Sequence, residues 1–359
     1  MTHHAAQTSL SYREALNKAM HDAMAANPNT LLFGQGINDH KGIFGTTTGL
    51  ADKFGKRRLI EVPLAEEGVT GICIGAALNG VYPINVHIRS DFVLLAMNQI
   101  INLAAKYKYM FGGLFEVPML VRLVIGRSWG QGAQHSQSLQ SLFAHIPGLT
   151  VIMPASSGSI VDSYAHAVRK HKGAVISLEH RLMYDLSFER ELEPVVLGAT
   201  PFSQRKVRDG SDVTIVSTSI MSLEARRAGE WLASRGISCD IIDLHCVSHI
   251  DPNVIMESVG RTGRLMVADT SWLPYGVGAE ICRIVCERDP GVLKAPVVTL
   301  GMAPAPCPTA KALEDIYYPN LTTLTDAIAR LVKGRPDHGI ELPHERSMAD
   351  VYKRFKGPF

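Results

Sequence analysis

Residues that can transfer protons occur in two short segments of the sequence. Glu66 and Glu67 lie in the segment Pro63–Gly68, between a strand-like run and a helix rich in small residues. His135 follows a glycine-rich stretch at residues 126–132. A carboxylate at the end of a strand, just before a closely packed helix, is expected to be partly buried. Imidazole is the commonest proton donor near neutral pH.

Each of these residues also has a purely structural interpretation. Acidic side chains in the first turn of a helix interact favourably with the helix dipole, which would account for Glu66 and Glu67. A lone histidine in a loop can be an ordinary hydrogen-bonded residue, which would account for His135. Residue type alone therefore leaves both interpretations open.

The glycines do not form a nucleotide-binding motif. The sequence contains no mononucleotide P-loop, and no Gly-x-Gly-x-x-Gly follows the first strand of either half. Gly34-Gln35-Gly36 lacks the third glycine, and a tight turn explains it equally well. The stretch at residues 126–132 is a weak signal by itself, although loops at strand ends are where α/β folds bind ligands.

The elements that must position these residues follow from the apolar pattern of the first half. The predicted strands are Leu31–Phe33, Arg58–Pro63, Pro83–Ile88, Val117–Ile125, Leu149–Pro154 and Ala174–Glu179. The predicted helices are Tyr12–Asn27, Glu67–Asn79, Asp91–Phe111 and Ser156–Lys170. Continuous apolar strands that alternate with helices predict a parallel sheet covered on both faces, the doubly wound α/β class.

The second half repeats this alternation on a smaller scale. Periodicity fades around residues 189–210, and strands are predicted again at Val213–Ser217, Ser238–Leu244, Arg264–Asp269 and Pro296–Leu300. We therefore predict a first domain over residues 1–195, a linker over 196–212, a second domain over 213–332 and a surface tail over 333–359.

Composition excludes several classes of function. A chain of 359 residues suits two ordinary domains, and a net charge of +2 gives no reason to invoke nucleic acid. The most apolar long stretch, Phe92–Met110, contains Asn98, Gln99 and three other polar residues, too many for a membrane span. The first nine residues show no export or organelle signal, so we expect a cytoplasmic protein.

Several motifs occur together in an order and spacing that is typical of one family. They are Glu66-Glu67-Gly68 with Gly71 and Gly75, Lys106–Gly113, Ala133–Ser138 and His145–Leu149, followed by Asp212–Val216, Ile242–Leu244, Thr262–Leu265 and Gly278–Ile281. On these motifs the chain resembles the beta subunit of the decarboxylase component of 2-oxo acid dehydrogenases, a group related to transketolase. The resemblance runs from about Ser11 to Leu331.

The resemblance implies a fold and a cofactor. The first domain should be a pyrimidine-binding domain for thiamine diphosphate, and the second should resemble the transketolase C-terminal domain. Glu66 should contact the aminopyrimidine ring nitrogen, where a carboxyl group can share the proton that activates the cofactor. Phe92 should pack against the aminopyrimidine, and His135 should lie near the reactive carbon, where it handles protons or positions the acyl acceptor. Phe92 as an ordinary core residue remains an alternative.

Half of the cofactor site is missing from the sequence. Relatives anchor the diphosphate through magnesium and a Gly-Asp-Gly motif, whereas Arg208-Asp209-Gly210 lacks the first glycine and lies in the predicted linker. The resemblance therefore implies a separate alpha subunit that carries this motif and holds Mg²⁺. We expect a heterotetramer of two alpha and two beta chains, and no metal ligands in this chain.

The expected activity is the decarboxylation of a small 2-oxo acid, with transfer of the acyl group to a lipoyl carrier. A lipoyl acyltransferase is then a further candidate partner. A non-oxidative carboligase or transketolase-like enzyme without a lipoyl partner is the alternative, and a non-catalytic scaffold subunit is a third hypothesis. The retention of Glu66 and His135 together argues against the scaffold.

The sequence departs from the family pattern at four places, one of which is Asp269-Thr270-Ser271-Trp272, where relatives have a more acidic segment. Gln35 stands where relatives usually have an acidic residue associated with proton communication between paired sites, which puts that communication in doubt. Lys170 and Lys172 stand near the positions where many relatives have Asp and Asn, which help to hold a potassium ion. Because an ammonium group repels a cation, we predict that no potassium binds there. The tail after Lys333 extends beyond the end of many relatives.

Overall fold

Two six-stranded sheets organise the chain, one in each half. The structure is a computed structural model that describes residues 9–126, 130–188 and 193–344. Each sheet has helices packed against it, as predicted from the alternating pattern. The α/β class with parallel sheets in two successive units is confirmed.

The first sheet is entirely parallel, in the order β2-β1-β3-β4-β6-β5. Its strands are β1 Thr30–Gly34, β2 Leu59–Glu61, β3 Tyr82–His87, β4 Met119–Ile125, β5 Leu149–Ile152 and β6 Ala174–His180. All residues of β3 to β6 are buried, because helices cover both faces of these strands. The longer helices of this half are α1 Tyr12–Ala26, α4 Glu66–Leu78 and α7 Ser157–Arg169. The shorter ones are α2 Gly42–Gly45, α3 Leu50–Phe54, α5 Tyr107–Met110 and α6 Gln140–Ala144.

The second sheet has the order β12-β11-β9-β10-β8-β7. Its strands are β7 Val195–Val196, β8 Arg205–Arg208, β9 Val213–Ser217, β10 Cys239–Asp243, β11 Leu265–Trp272 and β12 Val298–Met302. Its helices are α8 Ile220–Ala233, α9 Pro252–Thr262, α10 Val277–Arg288, α11 Lys311–Tyr317 and α12 Leu321–Lys333. Strands β9 to β12 are parallel to one another, and β8 and β7 continue the sheet beyond β10 in antiparallel pairings.

The segment predicted as a linker contributes to this second sheet. Arg205–Arg208 pairs with β10, and Val195–Val196 pairs with Arg205–Arg208, so part of the predicted linker belongs to the second sheet. The sequence signal was weak because three of the four residues of β8 are basic and only one of the four is buried. Residues 189–192 lie outside the described residues.

The helical stretch predicted over Asp91–Phe111 is present, but it is not one continuous α-helix. The chain instead forms a 3₁₀ helix at Ser90–Ala96, a π-helix at Gln99–Ala104 and the single turn α5. Ser90, Val93 and Ala96 point inward at intervals of three residues, which matches the pitch of a 3₁₀ helix. Apolar residues fill every position from Phe92 to Met97, so their pattern does not specify the α-helical period.

A buried ion pair ties the central strands of the first sheet together. Arg122 donates to Glu179 through Nε (2.6 Å) and a terminal nitrogen (2.8 Å), and both side chains are fully buried. The hydroxyls of Tyr164 and Tyr184 also donate to the Glu179 carboxylate. These four hydrogen bonds compensate the burial of a carboxylate that would otherwise be strongly disfavoured.

The two halves of the chain meet in a contact that buries polar groups from both. Gln140 Nε2 donates to Asp269 Oδ1 at 2.8 Å, and Ser163 Oγ lies 2.7 Å from His245 Nε2. Burial raises the pKa of the Asp269 carboxyl. Hydrogen bonds from the Thr218 hydroxyl, the Thr270 N–H, the Gln140 amide and the Val277 N–H oppose this rise. Such fully buried contacts fix the relative position of the two units.

Residues 334–344 of the predicted tail lie against α8 and α12. Trp231 Nε1 donates to the Glu341 carbonyl at 2.9 Å, and Thr322 Oγ1 donates to the Pro343 carbonyl at 2.9 Å. The rest of the tail lies outside the described residues. Within the described ranges, no helix combines the length and apolar character needed to cross a membrane.

Candidate active site

A cavity of about 410 Å³ opens at the carboxyl ends of strands β1, β2 and β3. Ligands bind at this edge of parallel sheets because loops from several strands converge there. Glu66, Phe92 and His135 all line the cavity, although they are far apart in the sequence. The structure thus brings together the three site residues that the resemblance predicted.

Glu66 is the first residue of α4 and is half-buried at the cavity wall. Its neighbour Glu67 is exposed and accepts a hydrogen bond from Gln99 Nε2 at 3.0 Å. The two glutamates therefore have different surroundings. Glu67 accepts a hydrogen bond from another residue of the same chain, whereas Glu66 lines the cavity. Asn85 on β3 holds this helix in place by donating to Thr70 Oγ1 at 3.0 Å.

The rings of Phe92 and His135 contact each other at the mouth of the cavity. Their centroids are 5.1 Å apart and their planes lie at 87°, an edge-to-face arrangement. Phe92 is 38% exposed. A core phenylalanine would be buried, so the structure contradicts the alternative that Phe92 is an ordinary core residue.

The loop that carries His135 is held by the second half of the chain. Ser271 Oγ donates to the Ser138 carbonyl at 2.8 Å, and the hydroxyls of Ser138 and Thr270 lie 3.1 Å apart. Gly132 has a φ of +73°, and a Cβ there would lie 2.7 Å from the Thr309 methyl group. Glycine is therefore required both by the turn and by this close approach. Residues 127–129 of the same glycine-rich stretch lie outside the described residues.

Sequence reasoning missed several polar residues of the cavity wall, among them Asn85 and His87. Burial lowers the pKa of His87 to about 4, so this imidazole is neutral at physiological pH. Asn85 Nδ2 donates to His87 Nε2 at 3.1 Å. Both residues lie within a strand that was predicted from its apolar neighbours. Their spacing of two residues places them on one face of β3, and this spacing could have indicated them.

Gln35 lies at the end of β1 and lines this cavity together with a neighbouring one. Its Nε2 donates to the Pro63 carbonyl at 3.3 Å. The amide thus fixes the segment that leads into Glu66. The effect of Gln35 on proton communication stays a prediction.

The described residues contain no group of three or more His, Cys, Asp or Glu placed to hold a metal ion. Gly210, in the segment that resembles an incomplete Gly-Asp-Gly motif, packs tightly against Cys239 and donates its N–H to Asp240 Oδ1 at 3.1 Å. This segment is therefore a structural turn of the second sheet. Between Lys170 and Lys172, His171 Nε2 lies 3.2 Å from Thr150 Oγ1.

Two family models cover most of the chain. Residues 8–185 match the transketolase pyrimidine binding domain, and residues 204–324 match the transketolase C-terminal domain. Subunit beta-2 of the mitochondrial pyruvate dehydrogenase E1 component of Oryza sativa subsp. japonica is 36% identical over 328 residues, covering 91% of this chain and 87% of the relative. The chain belongs to the family of 2-oxo acid dehydrogenase E1 beta subunits.

Bacterial members of this family are similarly close. The beta subunit of acetoin:2,6-dichlorophenolindophenol oxidoreductase of Cupriavidus necator is 36% identical over 336 residues, covering 90% of this chain and 98% of the relative. The pyruvate dehydrogenase E1 beta subunit of Rickettsia conorii is 34% identical, with 90% and 98% covered. Among solved structures, an inactive beta4 tetramer of a split-gene transketolase matches with a TM-score of 0.73 at 21% identity, covering 91% of this chain and 99% of that chain. That likeness concerns the fold.

Proposed function

We propose that this chain supplies the pyrimidine half of a thiamine diphosphate site and, with an alpha subunit, decarboxylates a 2-oxo acid and passes the acyl group to a lipoyl carrier. The observation that carries this proposal is the convergence of Glu66, Phe92 and His135 on one cavity at the carboxyl edge of the first sheet. The curated relatives are named as subunits of pyruvate dehydrogenase or of an acetoin oxidoreductase, so the carboligase alternative is not favoured.

The residues present fit the pyrimidine end of the cofactor. Val62, Leu64 and Val69 give the cavity an apolar wall, and the Phe92 ring offers a surface for a flat heterocycle. The Glu66 carboxylate is available at the same wall to a ring nitrogen. Thiamine diphosphate, when bound, supplies the electron sink for decarboxylation.

Each of the three residues has a proposed task. Glu66 shares a proton with the ring nitrogen and so controls the activation of the cofactor. Phe92 stacks on the ring and limits its motion. His135, in the loop above, handles a proton of the substrate or positions the acyl acceptor.

The diphosphate end is proposed to belong to the alpha subunit, together with Mg²⁺. A diphosphate carries several negative charges, and the described residues offer no carboxylate cluster for the metal that would compensate them. The site is then complete only when both subunits are present. We propose an assembly of two alpha and two beta chains, with a lipoyl acyltransferase as a further candidate partner.

The surface beside the cavity supports such a partner. Gly68 and Gly75 are exposed on α4, and a Cβ at either position would meet no atom of the described chain within 4 Å. Ile72, on the same helix face, is also exposed, as are Leu64 and Leu95 nearby. Small and apolar residues on one uncovered face allow another chain to approach closely. We propose that the alpha subunit covers this face.

A calorimetric titration tests the division of the site between two chains. The isolated chain should bind thiamine diphosphate weakly, with or without Mg²⁺. The complex reconstituted with an alpha subunit, identified by co-purification, should bind it tightly and decarboxylate a 2-oxo acid. Tight, magnesium-dependent binding to the isolated chain would contradict the proposal. The cytoplasmic location stays a prediction, and the rice relatives are named as mitochondrial.

A further inference from the structure

Asp91 connects the two sides of the cavity mouth. It precedes Phe92 in the 3₁₀ helix Ser90–Ala96, and its Oδ1 accepts hydrogen bonds from the Gln137 backbone N–H (3.2 Å) and from Gln137 Nε2 (2.9 Å). Ser90 Oγ donates to the Gln137 carbonyl at 2.8 Å. Ser90 and Asp91 thus bind the backbone carbonyl, the backbone N–H and the side-chain amide of Gln137.

These contacts lie in a buried environment. Asp91 is 7% exposed and Ser90 is fully buried. Hydrogen bonds to a carboxylate are stronger than those between neutral groups, and they gain further strength where water is excluded. The guanidinium of Arg89, two residues away, interacts favourably with the negative charge of Asp91.

The loop that Gln137 belongs to carries His135 only two residues earlier. The His135 ring makes its edge-to-face contact with Phe92, the residue next to Asp91. The other end of the loop is attached to the second half of the chain through Ser138 and Ser271. Loss of the Asp91 contact would therefore leave the loop attached but would release the part nearest to His135.

We propose that Asp91 is a positioning residue that fixes the distance between His135 and Phe92 by holding Gln137. The proposal rests on the proposed role of His135 and concerns the acyl-transfer step rather than cofactor activation. A displacement of about 1 Å in a reacting group can reduce turnover by about 10²-fold. Asp91 does not line the cavity in which Glu66 lies, so the activation of the cofactor should not depend on it.

The kinetic test uses the complex reconstituted with the alpha subunit. Asp91→Ala should lower kcat for acyl transfer by about 10- to 100-fold, while KM for the 2-oxo acid and deuterium exchange at the thiazolium carbon stay within about threefold of wild type. Asp91→Asn should recover most of the loss, because it keeps the Oδ1 acceptor. The effect of Asp91→Ala should also disappear in a His135→Ala background, since the two residues act through one step.

Hydrogen–deuterium exchange of the chain tests the geometry independently of activity. Exchange at the Gln137 amide should accelerate in Asp91→Ala and stay slow in Asp91→Asn. Asp251→Ala is the matched control, because Asp251 also accepts a backbone N–H, that of Asn253 at 2.9 Å, but lies in the second half of the chain. Exchange at residues 131–138 should be unchanged in this control. If Asp91→Ala does not fold, Gln137→Ala removes the side-chain half of the same contact and should give a smaller effect in the same direction.

The two proposals fail in different ways. A wild-type complex that does not decarboxylate any 2-oxo acid would reject the proposed function, while the exchange data would still decide whether Asp91 holds the loop. An active wild type with unchanged acyl transfer and unchanged Gln137 exchange in Asp91→Ala would overturn the positioning role alone.

Discussion

The buried carboxyl group of Asp243 should make the stability of the chain depend on pH. Asp243 ends strand β10, and its side chain is fully buried. Burial raises its pKa from 3.8 to about 7, opposed by a hydrogen bond from Ser222 Oγ (3.0 Å), by the Arg205 charge and by the His245 N–H (3.2 Å). Its Oδ2 has no hydrogen-bond partner among the described residues. The folded chain should therefore hold this carboxyl in its neutral form at pH 6.

The sign of the pH dependence follows from proton linkage. Because the pKa of Asp243 is higher in the folded state, the folded chain binds more protons than the unfolded chain between pH 4 and pH 7. Its contribution to stability is full below about pH 4 and is lost as the pH rises through about 7. A pKa difference of about 3 corresponds to about 4 kcal/mol.

Asp243→Asn isolates this contribution, because asparagine keeps the Oδ1 acceptor and does not titrate. The unfolding free energy of the variant minus that of wild type should rise by about 4 kcal/mol between pH 4 and pH 8. Burial lowers the pKa of His245, so its own effect has the opposite sign. That effect is present in both proteins and cancels in the difference.

Urea unfolding followed by tryptophan fluorescence measures this difference at each pH. Trp231 and Trp272 lie in the same half of the chain as Asp243 and report on its unfolding. Thr214→Val is the control, since Thr214 is a buried polar residue of the neighbouring strand β9 that does not titrate. A difference for Asp243→Asn that stays as flat with pH as that of the control would refute the reasoning.

Three further predictions concern the site and its surroundings. Glu66→Gln should lower turnover by about 10²- to 10⁴-fold and slow deuterium exchange at the thiazolium carbon, whereas Glu67→Gln should leave both nearly unchanged; equal effects would reject the assignment of Glu66. His135→Ala should keep cofactor affinity and impair a later step in stopped-flow assays, and a loss of affinity alone would show that His135 is misplaced. The melting temperature of wild type should not depend on potassium, whereas Lys170→Asp with Lys172→Asn should introduce such a dependence.

The sequence allowed the central architecture to be predicted because the parallel strands are buried on both faces. Strands such as β4 and β6 are fully buried and rich in apolar residues, and this composition is typical of the central strands of a parallel sheet. The irregular pitch of the helices Ser90–Ala96 and Gln99–Ala104 could not be predicted, because packing decides it and the period of the sequence does not. Strand β8 was missed for the opposite reason, since three of its four residues are basic and its apolar content is low.

The candidate site was also only partly predictable from the sequence. Residue types alone left Glu66 and His135 undecided, and the resemblance to a family singled them out. Neither approach indicated His87, which sits in a strand, or Asp91, whose contact with Gln137 joins segments 46 residues apart. Long-range contacts of this kind depend on the folded topology and leave no local pattern in the sequence.

The exposed glycines of α4 have a consequence for how mutations would be tolerated. Glycine within a helix costs about 1 kcal/mol relative to alanine, and at Gly68 and Gly75 an added methyl group would touch nothing in the described chain. Alanine at either position should therefore increase the abundance of the subunit when it is expressed alone. A screen that scores abundance would rank these substitutions as beneficial, whereas a growth selection that requires the assembled enzyme would rank them as harmful. Disagreement between the two screens would map the partner's footprint residue by residue.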